Sequence, residues 1–252
     1  MEITVRGLKI GEGSPKICVP LMGETREEIL SEAKRITGFS PDLIEWRADC
    51  LADEPDEDIH IGILAEIREV VGEIPVIYTF RTDEGGGKEI SESKYEELVT
   101  SVAKEGKCDL IDIEVFFLKM KARAVIDEIH SFSDAKVIGS YHDMTTTPDT
   151  AELIYRFSVI DHCNVDILKI ATMPKKKKDV MRIMTATVLT CTRPDPKPII
   201  SVAMGKLGRI TRFLGGFTGS AITFAEAGRE SAPGQIEITE LRKLIESVEK
   251  VL

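Results

Sequence analysis

A lysine stands in the middle of an apolar run. Residues 165–172 read Val-Asp-Ile-Leu-Lys-Ile-Ala-Thr, with Lys169 between Leu168 and Ile170. β-branched and aliphatic side chains without Gly or Pro predict a strand. A lysine there is either an edge residue whose stem carries its charge out to water, or an amine held in a poorly hydrated pocket. In the second setting the neutral form is favoured and the amine is a nucleophile toward carbonyl carbon. An imine formed with a ketone withdraws electrons and acidifies the adjacent C–H. Such chemistry calls for a proton shuttle working near pH 7, which suits histidine. Of the four histidines, His60 and His130 fall in or beside expected helices and His162 in a loop. His142 alone ends a strand, one strand before Lys169. Glu84 is the carboxylate expected to orient that imidazole and raise its basicity.

These groups need elements to carry them. Strands are predicted at 16–22, 42–48, 75–80, 109–115, 136–141, 165–172, 198–204 and 221–224, with helical periodicity between them. Thr25 with Glu28 reads as a capping box, Ser93 with Glu96 opens another helix, and Thr147-Pro148 and Thr239 are further expected caps. Weak alternation around Gly7 suggests an N-terminal hairpin within residues 1–15. Eight strand–helix units in 252 residues fit a doubly wound sheet or a (β/α)8 TIM barrel. No Gly-x-Gly-x-x-Gly follows the first strand and no Gly-x-x-x-x-Gly-Lys-Ser/Thr occurs, so the expectation is an α/β chain folded as one (β/α)8 domain over 1–252.

In such a barrel, chemistry collects at the C-terminal strand ends. There the chain places Glu45 and Arg47, Arg81 leading to Glu84, Asp112 and Glu114, His142 and Asp143, and Lys169. The period of two puts Glu45 and Arg47 on one side, expected as an inward ion pair. Nearby arginines are expected to help keep the lysine neutral. A metal site built from these carboxylates and His142 is the competing reading. It lacks a short-spaced histidine pair, and Lys169, Arg47 and Arg81 would oppose a divalent cation.

A net charge of -10 argues against non-specific binding to nucleic acid or anionic membrane. It leaves room for an anionic metabolite held by clustered arginines. Five dispersed cysteines with no CxxC pair read as free thiols, and no signal peptide or bilayer-length apolar run is visible, so a cytoplasmic protein is expected. Lys175–Lys178 reads as a solvated rim that steers an anionic substrate. The segment Ser231-Ala232-Pro233-Gly234-Gln235 is either a plain loop or a lid that places Ser231 and Gln235 on substrate.

Taken in order, Glu45-Trp46-Arg47-Ala48-Asp49, Phe80-Arg81, Glu84-Gly85-Gly86, Ser140-Tyr141-His142-Asp143, Lys169-Ile170-Ala171, Met204-Gly205, Thr211-Arg212 and Ser231 to Gln235 resemble type I 3-dehydroquinate dehydratase, the Schiff-base enzyme of the shikimate pathway. The resemblance covers essentially the whole chain. It implies a (β/α)8 barrel, a homodimer, and no metal or cofactor. It also implies that Lys169 forms an iminium with C3 of the anionic substrate 3-dehydroquinate. His142 is then the base at C2 and the acid at the departing C1 hydroxyl, with Glu84 as its carboxylate partner. Arg212 would bind the substrate carboxylate with Ser231 and Gln235, and Glu45, Arg47 and Arg81 would hold ring hydroxyls and pocket ion pairs. Arginine suits a carboxylate because its fork is bidentate. Thr211 and Tyr141 depart from the common pattern without removing a chemical group. A class I aldolase sharing the barrel and imine, and a non-catalytic barrel, are the alternatives.

Overall fold

The computed structural model describes residues 2–251. Two short strands, β1 (Ile3–Val5) and β2 (Leu8–Ile10), pair antiparallel with Val5 opposite Leu8. Their two-residue turn, Arg6-Gly7, has positive φ at both positions, the backbone twist that a tight hairpin requires.

Eight parallel strands follow: β3 (Lys16–Leu21), β4 (Leu43–Arg47), β5 (Val76–Thr79), β6 (Leu110–Glu114), β7 (Lys136–Asp143), β8 (Ile167–Thr172), β9 (Ile199–Ala203) and β10 (Ile222–Phe224). They run in the order β10-β3-β4-β5-β6-β7-β8-β9. A hydrogen bond of 2.7 Å from the Ala221 N–H to the Ile199 carbonyl brings the two outermost strands together and all but closes a barrel. The (β/α)8 architecture read from the alternation is the observed one.

The strands read as near-continuous apolar runs because both faces are covered. Outward side chains such as Trp46, Tyr78, Ile113 and Ile170 pack against the surrounding helices. Inward ones, among them Leu43, Ile77, Leu110, Ile138, Ile167 and Ile200, fill the N-terminal half of the barrel, and Val5 and Ile10 join them from the hairpin. The hairpin therefore stoppers the barrel floor, and the inward polar side chains Glu45, Asp112 and Lys169 lie above this apolar plug.

Helix starts differ from the expected caps in several places. Thr25 accepts from the Glu28 N–H at 3.3 Å, but Glu28 reaches back to the N–H of Glu24, one residue before a capping box would need it. The helix Thr150–His162 is capped by Asp149 and the helix Ile238–Glu249 by Glu237, not by Thr147 and Thr239. Ser91, two residues before Ser93, caps the helix Glu92–Glu105. At Asp149 and Glu237 a carboxylate accepts the first-turn N–H and also complements the helix dipole.

Candidate active site

The register of β7 against β8 sets Ser140 beside Lys169 and His142 beside Ala171. That of β5 against β6 sets Thr79 beside Asp112. With side chains alternating along each strand, Lys169 points into the barrel between outward Leu168 and Ile170. It is 4 % exposed. Its Nζ lies 2.7 Å from Asp112 Oδ2, 3.4 Å from Glu45 Oε1 and 4.8 Å from the centroid of the Phe224 ring.

The carboxylates around the amine are shared with other donors. Asp112 Oδ1 accepts from Ser140 Oγ at 2.6 Å and lies 3.0 Å from Arg81 Nη1. Glu45 Oε1 accepts from Thr79 Oγ1 at 2.9 Å. Arg81 also donates to Glu114 Oε1 at 2.7 Å, and Glu114 Oε2 accepts from the backbone N–H and the hydroxyl of Thr82. Burial alone would push the Asp112 carboxyl up, yet Arg81 and Lys169 outweigh it and hold the group well below the usual carboxylate range.

Two expected pairings are corrected. Arg47 does not pair with Glu45. It makes a bidentate contact with Asp49, Nε to Oδ1 at 2.8 Å and Nη2 to Oδ2 at 2.7 Å, because the turn after β4 returns that carboxylate to the guanidinium. Glu45 turns instead to Lys169 and Thr79. The arginines do not face the amine bare either: Arg81 is taken up by Asp112 and Glu114, and Arg47 by Asp49.

His142 also points into the barrel, with its side chain 10 % exposed. Burial, reinforced by the charges of Arg81 and Lys169, holds its imidazole well below the usual histidine range, so the ring is neutral at neutral pH. The expected partner Glu84 is not placed on it. Glu84 lies exposed in the turn Asp83–Gly85 and faces an outer cleft that His142 also borders. The carboxylate placed on the ring is Glu114, whose Oε1 lies 3.9 Å from His142 Nδ1. Gly85 explains the arrangement. A Cβ there would meet Glu114 Oε1 at 2.2 Å, so the turn's backbone rests on Glu114 while its glutamate side chain points away. The other three histidines are tied into the scaffold: His60 to the Tyr78 hydroxyl, His130 to Asp166 and His162 to the Ser158 carbonyl.

Arg212, on the helix Ile210–Thr218, is 2 % exposed, and its Nε and Nη2 are buried without hydrogen-bond partners. Burial lowers it to about 10, with Glu230 pulling the other way. A buried cation with free donors fits an anionic ligand. The segment expected as a lid crosses the mouth. Gly205 donates to the Pro233 carbonyl at 2.7 Å, and Arg47 Nη1 to that of Ser231 at 3.4 Å. Within it, the Ser231 N–H donates to Gln235 Oε1 at 2.7 Å and Gln235 Nε2 to Ser231 Oγ at 3.0 Å.

Glu45, Arg47, Arg81, His142, Lys169, Arg212, Ser231 and Gln235 line one cavity, whose apolar wall is Ala171, Val202, Met204 and Phe224. Glu84 does not reach it. Lys175–Lys178 lies exposed and does not line the cavity. The sequence places Asp112 at the top of the barrel and carries Asp49 and Ser140 in its motifs, but it gives none of the three a role and does not single out Thr79. Strand periodicity marks Asp112 as inward, but nothing in the sequence says that it meets Lys169 from two strands away.

The model of the family described as type I 3-dehydroquinase matches residues 17–251. The 3-dehydroquinate dehydratase of Clostridium kluyveri is 40% identical over 248 residues, covering 98% of this chain and 97% of its own. That of Bacillus licheniformis is 40% identical over 244 residues, 96% of each chain. Among solved structures, a type I 3-dehydroquinate dehydratase from Clostridium difficile carrying covalently modified comenic acid superposes with a TM-score of 0.95 at 35% identity, over 100% of this chain and 99% of that one. The 3-dehydroquinate dehydratase of Geobacillus kaustophilus gives a TM-score of 0.95 at 32% identity, over 99% and 97%.

Proposed function

The chain belongs to the type I 3-dehydroquinase family, and we propose that in its barrel Lys169 forms the imine, His142 moves the protons and Arg212 holds the substrate carboxylate. The reaction converts 3-dehydroquinate to 3-dehydroshikimate with loss of water through a Schiff base, a carbon–oxygen lyase step of aromatic amino acid biosynthesis. One observation carries the assignment of roles: a buried amine, a neutral imidazole and a guanidinium with unused donors line a single cavity.

The nitrogen of Lys169 attacks C3 of the ketone, and the carbonyl oxygen leaves as water. The iminium then draws electron density from C2. His142 takes a C2 proton, the C1–O bond breaks, and the hydroxyl departs as water with the proton that His142 returns. One further water hydrolyses the imine, so one water is lost overall and the amine is restored. Arg212 meets the carboxylate on C1 through its free Nε and Nη2. Ser231 and Gln235, lying over the mouth, contact the substrate from above, and Arg47, Arg81 and Glu45 order the ring hydroxyls.

Intact mass after borohydride treatment tests the assignment. A substrate-dependent adduct on the wild type, absent from Lys169→Ala, is the expected result. His142→Ala is expected to form the adduct slowly and to release no enone. An adduct on Lys169→Ala, or enone from His142→Ala at the wild-type rate, would reassign the roles.

We further propose that residues 1–252 form one catalytic domain working as a homodimer in the cytoplasm. Tyr155, Met181, Leu189 and Phe217 are large exposed apolar side chains on neighbouring helices, a surface suited to a second copy. The five cysteines are free thiols, which suits a reducing compartment. Among the described residues no helix is long and apolar enough to cross a membrane. Sedimentation velocity is expected to give twice the chain mass, and Phe217→Asp to halve it; a monomeric wild type would remove the dimer.

A further inference from the structure

We propose that Asp112 is a further catalytic residue, the counter-ion that holds the Lys169 nitrogen from ammonium through to iminium, and that Ser140 positions it. The inference rests on Lys169 forming the imine.

Asp112 is 1 % exposed, and its two oxygens are used differently. Oδ1 is anchored by Ser140 Oγ at 2.6 Å and by Arg81 Nη1 at 3.0 Å. Oδ2 is offered to Lys169 Nζ at 2.7 Å, and among the described residues it accepts from no other donor. Glu45 is the weaker partner, at 3.4 Å through an oxygen already shared with Thr79. The other titratable groups acting around the amine are Cys18 from β3 and His142 from β7, with Arg81 joined through Asp112.

The nitrogen begins and ends imine formation with one positive charge. A carboxylate clamped at one oxygen and free at the other matches that charge at both ends without moving. In a site closed to water, such a fixed partner is worth far more than in solution. Asp112 is not suited to be the base: the cations around it keep it ionised and a poor proton acceptor, which leaves proton transfer to the neutral His142. Its work is to orient the amine and to keep the iminium from reverting before C2 is deprotonated.

Removing the charge has two opposite consequences, and they make the test specific. Without its carboxylate the nitrogen gives up its proton more readily, but the iminium loses its counter-ion. Asp112→Asn is therefore expected to lower the plateau kcat about 100-fold. It is also expected to move the acid limb of the borohydride-trapping rate to lower pH by about one unit or more. Ser140→Ala keeps the charge but frees Oδ1, and should lower kcat about tenfold with a limb displaced in the same direction.

A wild type that traps no adduct would remove the imine reading itself. A wild type that traps, beside an Asp112→Asn with wild-type kcat and limb, overturns Asp112 alone. So does a fall in kcat with the limb unmoved, the mark of a merely structural loss. If Asp112→Asn does not fold, Ser140→Ala decides: an unchanged kcat and limb overturn the proposal.

Discussion

Glu114 Oε1 lies 3.9 Å from Nδ1 of His142, and that nitrogen is buried with no hydrogen-bond partner. A ring whose outer nitrogen is unanchored has its tautomer and angle set by whatever carboxylate comes into reach. Glu114 is nearly there and fixed by Thr82 and Arg81, whereas Glu84 is exposed. Glu114→Gln is expected to lower kcat about 10- to 100-fold, as loss of an orienting partner does. The loss should exceed that for Glu84→Gln. The reverse order in parallel kcat measurements would return the role to Glu84.

The pH dependence of kcat follows from the environment of His142. Burial and the charges of Arg81 and Lys169 disfavour its protonated form, so the basic form persists as pH falls through the usual histidine range near ~6.5. Protonation removes the base, so the acid limb assigned to His142 is expected clearly below that value. A kcat profile whose acid midpoint sits at about 6.5 would mean a solvated imidazole, and the assignment would fail.

The same logic, applied to stability, extends to His60, which lies outside the cavity. It is buried against Trp46 and hydrogen-bonded to the Tyr78 hydroxyl at 2.8 Å, and burial lowers it to about 4. The unfolded chain binds the proton near ~6.5, so between there and about 4 the unfolded state holds more protons. Stability is therefore lost as pH falls through that window, by about 3 kcal/mol when complete. His60→Gln is expected to flatten the melting temperature between pH 6.5 and 4 relative to wild type. An equal slope in both would place the acid sensitivity elsewhere.

The barrel was legible because its signal is local. Each of the eight strands is a short β-branched run, and Lys169 is conspicuous as the one charge between Leu168 and Ile170. Which side a residue faces follows from the same period of two, so Glu45, Asp112, Glu114 and His142 were all read as gathered at the top. What the period does not encode is the stagger between strands and the path of the turns. The turn after β4 hands Asp49 to Arg47, and the turn after β5 lays Gly85 on Glu114 and turns Glu84 outward. Asp112 meets Lys169 past the intervening β7, from a strand that is not its neighbour. Facing was readable, then, and partnership was not.

Arg212 sets stability against binding. Its Nε and Nη2 are desolvated without a partner, a cost the empty enzyme carries. Arg212→Met removes that cost and is expected to raise the melting temperature of the free protein while raising KM steeply. Product is expected to stabilise the wild type by mass action and to leave Arg212→Met unmoved. A variant that melts lower than wild type, or still gains stability from product, would show that the guanidinium is satisfied by protein groups.

The segment over the mouth depends on Gly234. Its φ is +85°, a left-handed conformation, and a Cβ there would meet the Gly205 carbonyl oxygen at 2.4 Å. That close approach lets the Gly205 N–H bond to the Pro233 carbonyl at 2.7 Å, which draws Ser231 and Gln235 down onto the cavity. Gly234→Ala breaks the approach with backbone on both sides, so no side chain can yield to relieve it. Arg47 of β4 reaches this segment, but no rung of the barrel's strand ladder passes through it, so global stability should change little. The expected result is KM raised about tenfold or more through loss of Ser231 and Gln235 from the site, with borohydride trapping of Lys169 retained at saturating substrate. Loss of trapping together with an unchanged melting curve would mean that the segment builds the cavity and does more than cover it.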